Sequence, residues 1–391
     1  MRIAPQHRVF AGFFLFAVAI GAMLSRLPDI QRDLQLTESQ LGLTLIAMAI
    51  GSLISLTLST PWIVRLGART TAFATVIGTA LCYAIVPWLP HALLVFPVLV
   101  AAGLLAGMLE INLNLQAARI EAQLGRRVMN RAHGFWSLGF FLTALAGAAI
   151  RQTGISPELH TAMAFGLVAL VSIIMFSGMR DAPVGQMSEA NAEHRFTFPN
   201  LGLVPLCIIG LTAFFVEGAG VDWSLIYMRD TFTVSAFVGG LSLSLFAGTM
   251  TIGRLFADPV VDRLGPRVVA TSLLAIAGVG AMLIALAPHP YLALFGFALL
   301  GLGCSVVYPL AVSGAAERTD RPAAVNVAAL AQVSYGIFFL GPPMLGFVAE
   351  HWGIRLSYVV VVPMIVWAAL LCGSLTSPKP TTGAKVAPAD A

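Results

Sequence analysis

The stretch Ala92–Asn114, ALLVFPVLVAAGLLAGMLEINLN, decides the fold class: no charged residue interrupts it from Ala92 to Leu109, and Glu110 then falls inside an apolar run. A helix needs about 20 such residues to cross the roughly 30 Å hydrocarbon core of a bilayer. Working outward, similar runs recur near 8–26, 39–60, 70–89, 132–151, 160–179, 200–227, 235–256, 268–287, 290–313, 324–348 and 355–375. With 92–117 they predict twelve crossings. The composition agrees, since only 10% of the 391 residues are charged, against about 25% in a soluble domain. Lipid offers the backbone no hydrogen bonds, so only helices or closed barrels cross it, and these runs lack the apolar/polar alternation of barrel strands. The expected fold is therefore an all-α membrane protein.

The first run leads into Ser25-Arg26-Leu27-Pro28 without a small-residue cleavage site, so it reads as a span rather than a cleaved leader. Cys82, Cys207, Cys304 and Cys372 sit singly in apolar segments, without ligand spacing, and read as packing residues. With both termini inside, 17 of the 22 basic residues fall in cytoplasmic segments, leaving Arg26, Arg32, Arg151, Arg229 and Arg355 on the other side. That bias favours an even number of spans with cytoplasmic ends and removes a nucleic-acid reading of the positive charge.

The polar connection 180–199 divides the chain near its middle, giving an expected N-terminal bundle at 1–179, a C-terminal bundle at 200–376 and a disordered tail at 377–391. The two bundles repeat. Pro61, Arg65, Leu66, Gly67 and Arg69 align with Pro259, Arg263, Leu264, Gly265 and Arg267, and the same offset brings Gly103 onto Gly301 and Ala117-Ala118 onto Ala315-Ala316. After a one-residue shift, Gly154-Ile155 resembles Gly353-Ile354. Both copies follow an even-numbered span, so the halves have the same orientation and relate by an axis along the membrane normal, a transporter architecture. No Walker-type phosphate loop, metal-ligand cluster or nucleophile constellation is present, which argues against ATP-driven transport and against an intramembrane hydrolase.

Asp262-Arg263-Leu264-Gly265-Pro266-Arg267 resembles the signature of the major facilitator superfamily, although the first copy has Val64 at the acid position. Within that superfamily, Gly107-Met108-Leu109-Glu110-Ile111-Asn112-Leu113-Asn114 resembles the fucose-permease branch, which carries a Glu followed four residues later by Asn. His133 to Gly139, Glu217 to Trp223 and Gly341 to Gly346 resemble the YbjJ-like inner-membrane transporters. The first span holds no acid in Gly21-Ala22-Met23-Leu24-Ser25-Arg26, where fucose permeases carry one.

The resemblance implies a monomeric secondary transporter of the bacterial inner membrane, without cofactor or metal, in which spans one, four, seven and ten surround a central cavity. It names Glu110 as the proton-coupling residue. A charged carboxylate at mid-bilayer costs about 3 kcal/mol on insertion scales, so this side chain must face a polar cavity or carry a proton. Asn114, Glu217, Asp222, Trp223, Ser305 and Tyr308 are the expected substrate-binding residues. Gly301, Gly303 and Pro309 predict a kink in span ten. Arg65, Gly67, Arg69, His133, Arg254, Asp258, Asp262, Arg263, Gly265 and Arg267 form an expected cytoplasmic gate, with Asp258 and Asp262 pairing to arginines or facing a helix N-terminus. The expected cargo is a small polar solute such as a sugar or polyol, moved with protons. An efflux carrier for amphipathic compounds and a non-transporting receptor remain as alternatives.

Overall fold

A computed structural model describes residues 3–125, 128–180 and 198–375. Among the described residues every regular element is helical, and twelve helical segments are long and apolar enough to span a bilayer. Spans one to six are Pro5–Leu24, Glu38–Leu58, Thr60–Ile85, Ala92–Leu124, Met129–Gln152 and Pro157–Phe176. Spans seven to nine are Val204–Thr231, Ala236–Leu264 and Pro266–Leu286. Spans ten and eleven are each interrupted, as Pro290–Cys304 with Val307–Ala316 and as Ala323–Tyr335 with Ile337–Trp352, and span twelve is Ile354–Leu371. The expected spans are all found. The expected connection at 180–199 and the tail at 377–391 lie almost wholly outside the described residues.

We call the face where span one begins and span twelve ends the terminal face, and its opposite the distal face. Distal helix starts are capped by polar side chains that satisfy otherwise orphaned amides. Thr37 and Gln40 form a reciprocal capping box at span two, and Ser156, Ser235 and His289 accept from Leu159, Val238 and Leu292. A short helix, Leu27–Asp33, crosses the distal face and was not foreseen from the sequence. It carries Asp29, 5% exposed, which takes two hydrogen-bonded contacts at 3.0 Å from Arg151 and one at 3.3 Å from Arg26. Burial pushes the Arg26 guanidinium below its ordinary value, but its Nε still donates to His160 Nδ1 at 2.9 Å.

The internal repeat is visible in the backbone. Gly67 has φ 72° and ψ 164°, and Gly265 has φ 81° and ψ 155°, a region essentially reserved for glycine. Gly265 turns the chain from span eight into span nine, and Gly67 makes the matching break inside Thr60–Ile85, which is helical on both sides of it. Further along, a Cβ on Gly103 would strike the Met48 carbonyl, and one on Gly301 the Phe246 carbonyl. Residues 48 and 246 differ by 198, as do 103 and 301, so the same backbone-to-backbone crossing is built twice. Without a hydrophobic drive between helices in lipid, such small-residue contacts supply the close packing.

Between the halves, span two packs on span eleven and span five on span eight. These contacts gather toward the distal face. Gly42 lies against the Pro342 carbonyl, Gly346 against that of Glu38, and Gly240 against Ala148. The Ser39 amide donates to Glu350 at 3.0 Å, the Phe237 amide to Gln152 at 3.0 Å, and Arg229 to the Pro28 carbonyl and Gln31 at 3.0 and 2.9 Å.

Candidate functional site

A cavity of about 360 Å³ lies between the halves. Its wall comes from spans one, two, four, five, seven, eight and eleven. Span ten, expected there, contributes none of the lining residues. The broken span ten explains this. Pro309 has no amide hydrogen to give the Ser305 carbonyl, and the helix is interrupted between Cys304 and Val307. The kink read from the glycines and proline is present, but the freed carbonyl accepts from Arg254 Nε at 3.0 Å instead of facing the cavity.

Glu110 and Asn114 stand one helical turn apart on span four, and both line the cavity. Asn112, two residues from each, points to the opposite side and donates to the Ala68 carbonyl at 3.1 Å. Glu110 makes no ion pair among the described residues. Asn114 Oδ1 is buried there without a hydrogen-bond partner. Glu217 and Asp222, five residues apart on span seven and set about 140° apart on an ideal helix, nevertheless both reach the same cavity. Gly218 between them leaves a gap in the wall, and a Cβ there would stand 3.8 Å from Asp222 Oδ2.

Three expected ligands are placed elsewhere. Trp223 is 1% exposed and does not line the cavity: its ring packs where Gly346 leaves room, 2.9 Å from that residue's would-be Cβ, and Nε1 has no partner among the described residues. Ser305 turns its hydroxyl back to the Leu302 carbonyl at 2.7 Å. Tyr308 sits one ring layer behind the wall, 4.3 Å from the Phe214 ring, which in turn contacts the cavity-lining rings of Tyr335 and Phe338 at 5.1 and 5.2 Å.

The expected gate is dispersed. Arg254 is not at the terminal rim but behind the cavity, where it pairs with Glu217 at 3.4 Å and donates across the halves to Ser137 Oγ at 3.4 Å. His133 packs its ring 4.8 Å from Phe13 on span one. Arg65 and Arg69 lie over the rings of Trp62 and Phe73, both at 5.9 Å. Asp258, Asp262, Arg263 and Arg267 are exposed, and no ion pair joins them among the described residues, so the pairing foreseen for the two acids is not made in this state. Gly67 and Gly265 make the turns already described.

Sequence reasoning missed the aromatic part of the wall. Trp136 and Phe140, four residues apart on span five, stack at 5.4 Å with planes 2° apart, and Tyr335, Phe338 and Phe339 line it from span eleven. Their helical spacing was legible, but it does not distinguish a cavity face from a lipid or core face.

A sequence model of the Major Facilitator Superfamily matches residues 205–390. The chain is 30% identical over 364 residues to an uncharacterised transporter, y4wD, of Sinorhizobium fredii, covering 92% of this chain and 95% of the relative. It is 26% identical over 379 residues to an uncharacterised MFS-type transporter of Yersinia pestis, covering 96% of each. The solved structure of a D-xylose–proton symporter is similar with a TM-score of 0.73 at 15% identity, covering 95% of this chain and 97% of that one, a likeness of fold. The paired six-helix bundles, the cavity between them and a 30% identical relative matched almost end to end agree: the chain belongs to the major facilitator superfamily and is a membrane transporter, not an enzyme.

Proposed function

We propose that the protein is a proton-coupled carrier of a small polar solute, such as a sugar, polyol or related metabolite, working by alternating access with Glu110 as the proton-carrying residue. One observation carries this reading: the Glu110 side chain lines the cavity on the same face as Asn114 and makes no ion pair among the described residues. A desolvated carboxyl favours its neutral form and one opened to water its charged form, so a change of access at this position binds or releases a proton. Solute would be held by Asn114, Glu217 and Asp222. The proton symporter of similar fold makes such coupling a natural use of this architecture.

In this reading the cross-half seam on the distal face marks a state closed to the outside, with the bacterial inner membrane oriented so that both termini are cytoplasmic, as the basic residues suggest. The gate at the terminal face, built from Arg65, Gly67, Arg69, Asp258, Asp262, Arg263, Gly265 and Arg267, would assemble when the distal seam opens. The units that rock are the bundles 1–179 and 200–376 of a monomer.

Glu110→Gln in proteoliposomes tests the assignment. Uphill uptake driven by a proton gradient is expected to vanish while counterflow exchange persists, and unchanged uphill uptake would remove Glu110 from the mechanism. The aromatic wall of Trp136, Phe140, Tyr335, Phe338 and Phe339 favours a second reading, proton-driven efflux of amphipathic compounds. Drug sensitivity of cells lacking the protein would favour it over solute uptake.

A further inference from the structure

The chemistry of the cavity wall narrows the class of solute. This step rests on the carrier reading above. Among the described residues the lining includes three carboxylates, those of Glu110, Glu217 and Asp222, and no Lys, Arg or His. Arg254 is held from behind, on the Ser305 carbonyl at 3.0 Å and on Ser137 Oγ at 3.4 Å, and its charge meets Glu217 at 3.4 Å. One acid is thereby compensated. If Glu110 holds the coupling proton, Asp222 remains, with no ion pair among the described residues, beside the gap left by Gly218.

The remaining polar atoms point the same way. The carboxyls of Glu110 and Asp222 are acceptors when ionised, and Asn114 Oδ1, buried in the wall, meets no donor among the described residues. Around them stand the stacked rings of Trp136 and Phe140 and the pair Tyr335 and Phe338, 5.8 Å apart at 42°. An ammonium group supplies three donors and the missing positive charge, and aromatic faces attract cations. A neutral hydroxyl supplies a donor without the charge, and a carboxylate meets like charge.

We propose that the cavity selects solutes carrying a protonated amine, with the ammonium at Asp222 and the remainder of the solute against Trp136 and Tyr335.

Matched triplets with one skeleton each test this: glucosamine, glucose and glucuronate, together with 2-phenylethylamine, 2-phenylethanol and phenylacetate. Purified full-length protein in proteoliposomes would be offered the mixture under proton gradients of both directions. Contents are read by mass spectrometry against empty vesicles, and proton movement by an enclosed pH dye. Amine members are expected to exceed their neutral and acidic partners by at least about tenfold, a difference typical of one good charged contact. Asp222→Asn should reduce that ratio to about threefold or less, and Asp222→Glu should restore it, on protein that elutes as the parent does. A response to the neutral or acidic members equal to that of the amines overturns the inference and leaves the carrier reading standing. An unchanged ratio in Asp222→Asn overturns the placement of the ammonium at Asp222. No response to any member, in contents or in proton movement, overturns both readings.

Discussion

Gly42 sits where spans two and eleven meet on the distal side, and a Cβ at this position would collide with the Pro342 carbonyl and lie 2.9 Å from Pro343 Cα. Both obstacles are backbone, so no side-chain rotation relieves them. Gly42→Ala therefore overpacks the closed seam, at a cost of about 1–3 kcal/mol. Opening the seam separates the two helices and removes the collision, so the cost falls on the closed state alone. The closed-to-open ratio should drop by about 5- to 150-fold, the factor equivalent to that energy. Spin labels on cysteines at Gln35 and His351, both exposed on the distal face of opposite halves, report the seam directly by pulsed electron resonance. Cys207, Cys304 and Cys372 are buried, and the half-buried Cys82 is replaced by Ser as background. The parent should show a dominant short distance, and Gly42→Ala a growing long one at the same lipid composition and pH. A variant that stays monodisperse with an unchanged distance distribution would refute the view that this seam closes one side of the carrier.

Other sites give separable outcomes. Asp29→Asn leaves Arg26 and Arg151 without the carboxylate they share, and breaking a buried pair costs about 3–5 kcal/mol, so detergent-solubilised protein should lose thermal stability markedly; a melting temperature equal to the parent's would sink that account. Gly67→Ala and Gly265→Ala each force a side chain into a glycine-only backbone region, about 1–3 kcal/mol apiece, and the two should be similar when measured by thermal unfolding. Asp320, in the turn between spans ten and eleven, is held below the usual carboxylate range first by Arg318 and then by Asn200. Because its folded value is depressed, its contribution is present above the ordinary Asp value of 3.8 and is lost as the pH falls below it, so the stability gap between parent and Asp320→Asn should narrow on acidification in that window.

The spans were legible because lipid imposes one rule along the whole chain: uncharged length. The repeat was legible for a related reason. Gly67 and Gly265 hold backbone angles open only to glycine, and Gly103 and Gly301 admit a carbonyl where any side chain would block it, so these positions show directly in the sequence. Glu110 and Asn114 shared a face by spacing alone. Beyond one helix the reading weakened. Nothing in a string of letters says that Trp223 turns into the protein while Asp222, its neighbour, turns into the cavity, because both depend on how span seven is rotated against span eleven. Arg254 was grouped with the gate by its neighbours in sequence, whereas its long side chain reaches back to Glu217 and to a carbonyl freed by Pro309. The five minority arginines of the distal face were counted only as exceptions to the charge bias. In the structure Arg26 and Arg151 meet Asp29, Arg32 meets Asp33, Arg229 bridges the halves, and Arg355 donates to the Ala285 carbonyl.

The repeat also shows where symmetry ends. With the offset of 198 that matches Gly103 to Gly301, Glu110 corresponds to Tyr308 and Arg254 to Leu56. The position that brings a carboxyl to the cavity in the first half thus brings a phenol in the second, and that phenol is withdrawn behind Phe214. Conversely, Glu217 and Asp222 correspond to Ala19 and Leu24 of span one, so the second half places two acids where the first places none. Glycine positions are shared because both bundles must pack and turn alike. Ionisable positions are not: the first half brings Glu110 to the cavity, and the second brings Glu217 and Asp222. In the carrier mechanism proposed above, a rocking of one half against the other changes the access of the Glu110 site and of the Glu217 and Asp222 site together, so that solute and proton binding would depend on a single change of access.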